Sequence, residues 1–201
     1  MKLAIVDYGA GNLPSVERAL QGLGAETERA VAPQQLAPAR AIVLPGVGHF
    51  SAFVKGLRER NLTDALRAAF EARVPILGIC LGLQAMFASS EEAPGEPGLG
   101  FFPENVRALP TNVKSPHIGW NQVRRVRESK LLQGIAEDAF FYFAHSYAAP
   151  ASAQATVAAC DHGVSFAAVI EQGCLAAVQF HPEKSGETGA RVLRNFLESL
   201  A

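Results

Sequence analysis

Short, unbroken apolar runs alternate with stretches of helical spacing through the first half of the chain. Leu3 to Val6 is one such run, as expected of a strand buried on both faces. After Gly9-Ala10-Gly11-Asn12 the period changes: Val16, Ala19, Leu20 and Leu23 recur at helical spacing, Pro14 suits a first turn and Gly24 a stop. Ala41 to Leu44 is a second buried run, broken by Pro45-Gly46-Val47-Gly48. Leu62, Leu66, Ala69 and Phe70 mark a further helix, Pro75 to Ile79 a third strand, and Leu81 to Phe87 the start of another helix.

This alternation predicts an α/β fold: an open, mostly parallel central sheet flanked by helices, with ligands expected at the carboxyl ends of the strands. The three breaks, at Gly9–Asn12, Pro45–Gly48 and Gly78–Gly82, all fall at such ends. Glu91 to Gly98, rich in Pro and Gly, reads as a surface loop. Beyond it the pattern predicts a smaller β-rich portion, with strands over Asn121–Val126, Phe140–Phe143, Ala155–Ala159, Ala167–Ile170 and Leu175–Phe180. The chain closes on a helix carrying Val192, Leu193, Phe196, Leu197 and Leu200 on one face. Neither a repeat nor a linker divides it, so one domain is expected over residues 1–201.

Composition narrows the function classes. Of 201 residues, 49% are hydrophobic and the formal charge is -1, so there is no overall basic field for nucleic acid or anionic lipid. The densest basic stretch, Arg124, Arg125 and Arg127 between Val123 and Val126, reads as the wet face of a strand. No apolar run approaches the roughly 18 residues that span a bilayer, and the opening residues lack the length and cleavage site of a signal peptide. The three cysteines, Cys80, Cys160 and Cys174, are widely spaced and form neither a zinc nor a CxxC pattern, so a cytoplasmic, reduced setting is expected.

The strongest chemical signal is Gly78-Ile79-Cys80-Leu81-Gly82, a G-x-nucleophile-x-G sequence between a predicted strand and a predicted helix. A sharp strand-to-helix turn pushes the middle side chain out at the sheet edge, and crowding demands glycine on either side. The helix that follows would favour a thiolate and offer free amides, beginning with Leu81, to an oxyanion. The plainer reading, a buried structural cysteine, suits most lone cysteines; its strand–helix setting and the Gln84-Ala85-Met86 that follows set Cys80 apart.

A thiol nucleophile needs a base, and an imidazole needs a partner to fix its tautomer. Among five histidines, His181 stands out because it ends the run Leu175–Phe180 and precedes Pro182-Glu183. Extended residues two apart point the same way, so Glu183 is placed to accept from one ring nitrogen while the other faces sulfur. His49, after the second glycine loop, competes as a base but has no carboxylate beside it in sequence.

Gly78-Ile79-Cys80-Leu81-Gly82-Leu83-Gln84, together with Gln179-Phe180-His181-Pro182-Glu183-Lys184-Ser185, resembles the class I, triad-type glutamine amidotransferases. More narrowly, the chain is similar to the glutaminase subunits of imidazole glycerol phosphate synthases. That likeness rests on Asp7–Asn12, Pro45–Gly48, Pro116-His117-Ile118-Gly119-Trp120-Asn121 and Tyr142-Phe143-Ala144-His145-Ser146-Tyr147. The resemblance implies that Cys80, His181 and Glu183 hydrolyse glutamine through a thioester, without cofactor or metal. It further implies oxyanion donors at Gly46, Val47, Gly48 and Leu81, and a grip on glutamine's amino-acid end by Gln84, Ser146 and Tyr147. Asn12, Trp120, Asn121 and Lys184 would border the ammonia route and a (β/α)8 barrel synthase subunit. Duller readings stand beside these: Asn12 as a helix cap, Trp120 as core, Lys184 as a solvated lysine, Pro45–Gly48 as an ordinary turn. Rival functions are an amidotransferase serving another synthase, a non-catalytic subunit on the same scaffold, and a thiol peptidase or esterase.

Overall fold

The computed structural model describes residues 2–200. The expected single domain therefore reaches, at residues 1 and 201, outside the described residues. In chain order the elements are β1 (Lys2–Val6), α1 (Leu13–Gly22), β2 (Glu26–Ala30), β3 (Ala41–Gly46), α2 (Phe50–Glu59), α3 (Leu62–Glu71), β4 (Ile76–Cys80), α4 (Leu81–Ala85) and β5 (Phe87–Ser90). There follow β6 (Phe102–Ala108), β7 (His117–Gln122), β8 (Arg124–Arg125), β9 (Phe140–His145), β10 (Tyr147–Ala148), β11 (Thr156–Asp161), β12 (Ser165–Gln172), β13 (Leu175–Val178) and α5 (Gly186–Glu198).

Eight strands form the central sheet in the order β2-β1-β3-β4-β13-β12-β11-β8. The first five run parallel, and β12, β11 and β8 continue antiparallel. The parallel strands are buried on both faces, which is why they read as continuous apolar runs. Their side chains nevertheless alternate: Leu3, Ile5, Ala41, Val43, Leu77 and Ile79 join one core with α1 and α5. Ala4, Val6, Ile42, Leu44 and Ile76 join the other with α2, α3 and α4. A three-stranded sheet, β10-β6-β5, and a two-stranded ribbon, β7–β9, complete the β-rich portion.

Several sequence expectations shift. The helix after Cys80 ends at Ala85, and Phe87, expected inside it, begins β5 beside β6. There Phe87 stacks obliquely on Phe102 at 5.1 Å and both side chains are buried, so packing overrides the local helical pattern. A five-residue helix carries only a weak dipole, so its contribution to the cysteine is its turn and its free amides. The strand expected over Asn121–Val126 splits: β7 stops at Gln122, and β8 spans two residues in a different sheet. Arg124, Arg125 and Arg127 are exposed there, and the latter two donate to carbonyls of Leu132 (2.8 Å) and Thr156 (3.0 Å for Nε). Among the elements with no sequence signal are the strands β6 and β10, the polar edge strand β2, and α2, whose Phe50, Phe53, Val54 and Leu57 pack into the second core.

Candidate active site

The carboxyl ends of β3, β4 and β13 converge on one small cavity of about 80 Å³, lined by Val47, Gly48, Cys80, Leu81, Gln84, Glu92, Ala144, His145, Ser146, Tyr147 and His181. A larger hollow of about 1150 Å³ runs along Arg125–Gly134, but Cys80 and His181 gather in the smaller one.

Cys80 occupies a positive-φ backbone (φ 53°, ψ -107°), a conformation that costs a non-glycine residue on the order of 1–3 kcal/mol. The surrounding glycines explain how it is held. A Cβ on Gly82 would overlap the carbonyl oxygen of Leu44 in β3, and one on Gly78 would meet Ala177 and the α4 backbone at 3.0 Å. The turn therefore requires glycine at 82 and leaves little room for a side chain at 78, and it lifts the sulfur into the cavity. The thiol is aimed at Ala144 O, 4.0 Å away, and receives the side-chain amide of Gln179 at 3.6 Å.

His181 follows β13, and its Nδ1 lies 2.9 Å from Glu183 Oε1, a pair whose side chains are 3% and 2% exposed. The carboxylate only accepts, so Nδ1 carries the hydrogen and Nε2 is left for the sulfur. Glu183 reaches its partner through a 3-10 turn over Pro182–Lys184 rather than through the extended alternation expected from sequence. Ser185 fixes the arrangement: its hydroxyl donates to His181 O (2.6 Å) and accepts from Tyr142 N (3.0 Å), while His181 N donates to Tyr142 O (2.9 Å). Burial works against charge on the His181 ring, but its contacts with Cys80 and Glu183 outweigh it and place its pKa at about 10. At neutral pH the ring therefore holds a proton beside the sulfur, where a leaving amine could take it.

The glycine loop packs tightly against this centre. A Cβ on Gly46 would press on Phe53 (2.7 Å) and on Leu81 Cβ (2.8 Å), and Gly48 sits at φ 92°. The Val47 peptide is engaged by Tyr8, whose hydroxyl donates to Val47 O (2.8 Å) and accepts from Val47 N (3.0 Å). On the opposite wall, Gln84 Nε2 donates to Tyr147 O (2.7 Å) and to Gln179 Oε1 (3.2 Å). Gln179 thus bridges Gln84 and Cys80.

The residues expected near a partner divide. Trp120, 55% exposed on β7, stands edge-on to Tyr142 at 6.0 Å, and Lys184 Nζ lies 5.8 Å over that same ring. With Ile118 and Phe140 they give the ribbon an apolar outer face, so Trp120 is not core. Asn12 is exposed at the α1 N-terminus and accepts from the Ser15 hydroxyl (3.0 Å) rather than capping the backbone. Asn121 turns to the ribbon's inner face, donating to His117 and to Asp161 O. His49 lies outside the cavity, where its ring caps α2 by accepting from Ser51 N (3.2 Å).

Sequence reasoning left three contributors unassigned. Gln179 and Ser185 stand in the sequence only as members of a motif, and Tyr8 only as part of a glycine-rich opening; a polar residue at an otherwise apolar strand end is the available signal for Gln179. Cys160 and Cys174 are free thiols whose pKa burial raises, that of Cys160 to about 12. Among the described residues, no group of three or more His, Cys, Asp or Glu is arranged to hold a metal ion, and no helix is long and apolar enough to cross a membrane.

The family model for Glutamine amidotransferase class-I matches residues 4–200. The chain is 48% identical over 199 residues to the imidazole glycerol phosphate synthase subunit HisH of Methanothermobacter thermautotrophicus, covering 98% of each chain. It is 45% identical over 197 residues to the subunit of the same name from Moorella thermoacetica, covering 98% of this chain and 94% of that one. Among solved structures, a glutamine amidotransferase superposes with a TM-score of 0.78 at 21% identity, covering 98% of both chains. PurLQS from Thermotoga maritima gives 0.77 at 19%, covering 100% and 99%; at these identities the likeness speaks to fold.

Proposed function

The chain belongs to the class-I glutamine amidotransferase family, and from that premise we propose that it is the glutaminase subunit of an imidazole glycerol phosphate synthase, acting in histidine biosynthesis in the cytoplasm as one domain over residues 1–201. The observation that carries the chemistry is the convergence of Cys80 and His181 on one cavity, with Glu183 behind the imidazole.

In this reading the Cys80 thiolate adds to the side-chain carboxamide carbon of glutamine. Charge moves onto oxygen, where the amide of Leu81 receives it, joined by amides of the Gly46–Gly48 loop once the Val47 peptide turns away from the Tyr8 hydroxyl that its N–H engages. The C–N bond then breaks as His181 protonates the departing nitrogen, leaving a glutamyl thioester and ammonia. His181, now neutral, takes a proton from water, whose oxygen attacks the thioester; collapse releases glutamate and returns the proton to the catalytic pair. Glu183 keeps Nδ1 protonated throughout and offsets the positive ring. Gln84, Ser146 and Tyr147 grip the amino-acid end of the substrate. No cofactor or metal enters any step.

Ammonia is passed to a (β/α)8 barrel subunit, which uses it to form imidazole glycerol phosphate and the purine precursor AICAR. That subunit docks over the exposed face bearing Trp120, Lys184 and Asn12. A large exposed aromatic beside a tyrosine and a lysine is the composition of an interface anchor.

The test is a glutaminase assay of the chain alone and with the barrel subunit and its nucleotide, repeated with Cys80→Ala. We expect glutamine turnover to rise on assembly. The variant should lose glutamine-dependent synthesis and keep ammonia-dependent synthesis. Equal turnover alone and in complex would count against a docked synthase, and loss of the ammonia-dependent reaction would count against a purely glutaminase role.

A further inference from the structure

Two histidines that the amide chemistry leaves unused are buried beside it. His117 on β7 and His145 on β9 are direct cross-strand partners, 5% and 6% exposed, packed among Phe143 and Phe166. Phenylalanine rings would fill that space without desolvating two imidazoles. Burial depresses the His117 pKa to about 4 and that of His145 to about 3, so both rings are held neutral. Packing alone does not account for the choice of histidine.

The hydrogen bonds do. His145 Nδ1 lies 3.0 Å from Tyr147 O, and a carbonyl only accepts, so Nδ1 carries the hydrogen. His145 Nε2 must then accept, and its partner is His117 Nδ1 at 3.1 Å. His117 Nε2 accepts in turn from Asn121 Nδ2 at 3.3 Å. The Asn121 amide is oriented independently, because its Oδ1 accepts from Gln122 N (2.8 Å) and its Nδ2 also donates to Asp161 O (3.2 Å). Donation therefore runs one way, from Asn121 to His117 to His145 to the Tyr147 carbonyl. That oxygen is the one that also receives the Gln84 amide.

We propose that His145, held in a single tautomer by His117 and Asn121, is a positioning residue for glutamine. It fixes the Ser146–Tyr147 backbone, and through the shared carbonyl the Gln84 side chain, in the geometry that receives the amino-acid end of the substrate. The inference rests on the reading of Gln84, Ser146 and Tyr147 as the glutamine-binding residues. Its action is on binding rather than on sulfur, because none of its hydrogen bonds reaches Cys80.

The experiment compares wild type, His145→Phe, His145→Asn and His117→Phe, each in complex with the barrel subunit, by glutaminase kinetics and by alkylation of Cys80 with iodoacetamide, a carboxamide lacking the amino-acid end. His145→Phe should raise KM for glutamine about tenfold, with kcat and the alkylation rate within about twofold of wild type. His145→Asn, whose Nδ2 replaces the donor to Tyr147 O, should return KM to within about threefold, and His117→Phe should raise it by about threefold to fivefold. A wild-type KM in both Phe variants, a loss confined to kcat, or His145→Asn no better than His145→Phe overturns the proposal. Should His145→Phe fail to fold, the other two variants decide: His117→Phe at wild-type KM overturns it, and a raised KM there with near-normal His145→Asn upholds it. A wild-type complex that is alkylated yet never hydrolyses glutamine would instead overturn the reading of the site, and this inference with it.

Discussion

Two corners of one cavity hold buried imidazoles in opposite states. His181, at the end of β13, has its pKa raised to about 10, whereas His145, at the end of β9, has its pKa lowered to about 3. Both rings are almost wholly removed from water, so desolvation opposes charge on each. The difference lies in what each ring can touch. His181 meets a carboxylate and a sulfur; His145 meets a peptide carbonyl and another neutral imidazole. Burial thus sets a common bias toward neutrality, and the Cys80 sulfur and the Glu183 carboxylate together reverse it at His181. One corner is built to carry a proton, the other to refuse one.

Removing the carboxylate should move the first corner toward the second. In Glu183→Gln the His181 ring loses one of its two charge-stabilising partners, and its pKa should fall from about 10. The kcat for glutamine hydrolysis should drop about a hundredfold or more, read by steady-state kinetics alongside NMR titration of the ring. A ring that still titrates far above 7 would show that sulfur alone sustains the proton. A smaller effect is expected from Gln179→Leu, which removes the amide donor to Cys80: alkylation by iodoacetamide at neutral pH should slow about tenfold. An unchanged rate would mean that this contact does not help the thiolate.

The contrast also predicts opposite stability limbs. A histidine with a depressed folded pKa is charged more readily in the unfolded chain. The contributions of His117 and His145 are therefore present above about pH 6.5 and lost as pH falls through about 4 and 3, on the order of 2 kcal/mol each by pH 5. His181, whose pKa is raised, contributes fully below about pH 6.5 and loses its contribution as pH climbs to about 10. Thermal melts across pH 4.5–9.5 should show both limbs, with His145→Phe flattening only the acid one; an acid limb unaltered in that variant would remove the neutral pair from the account.

How far the sequence could be read tracks how local each signal is. The Cys80 elbow and the His181–Glu183 pair sit in short segments, and the parallel strands are apolar on both faces, so these are legible in the sequence, although the 3-10 route that brings Glu183 to His181 is not. Edge strand β2 pairs on one side only and reads Glu26-Thr27-Glu28-Arg29-Ala30, too polar to mark a strand. The α4–β5 boundary was set by Phe102, distant in sequence. The histidine pair was invisible for the same reason: His117 and His145 become partners only through the β7–β9 register. Tyr8 and Val47 likewise meet only when β1 and β3 lie side by side.

The contact between Gly82 and the Leu44 carbonyl bears on redesign. Exchanging the sulfur of Cys80 for a hydroxyl would leave that contact untouched, so the scaffold tolerates new chemistry at this one position. Adding even a methyl group at residue 82 would drive it into the Leu44 carbonyl, so that β3 or the turn itself would have to shift. Engineers thus inherit a fixed address with a replaceable occupant.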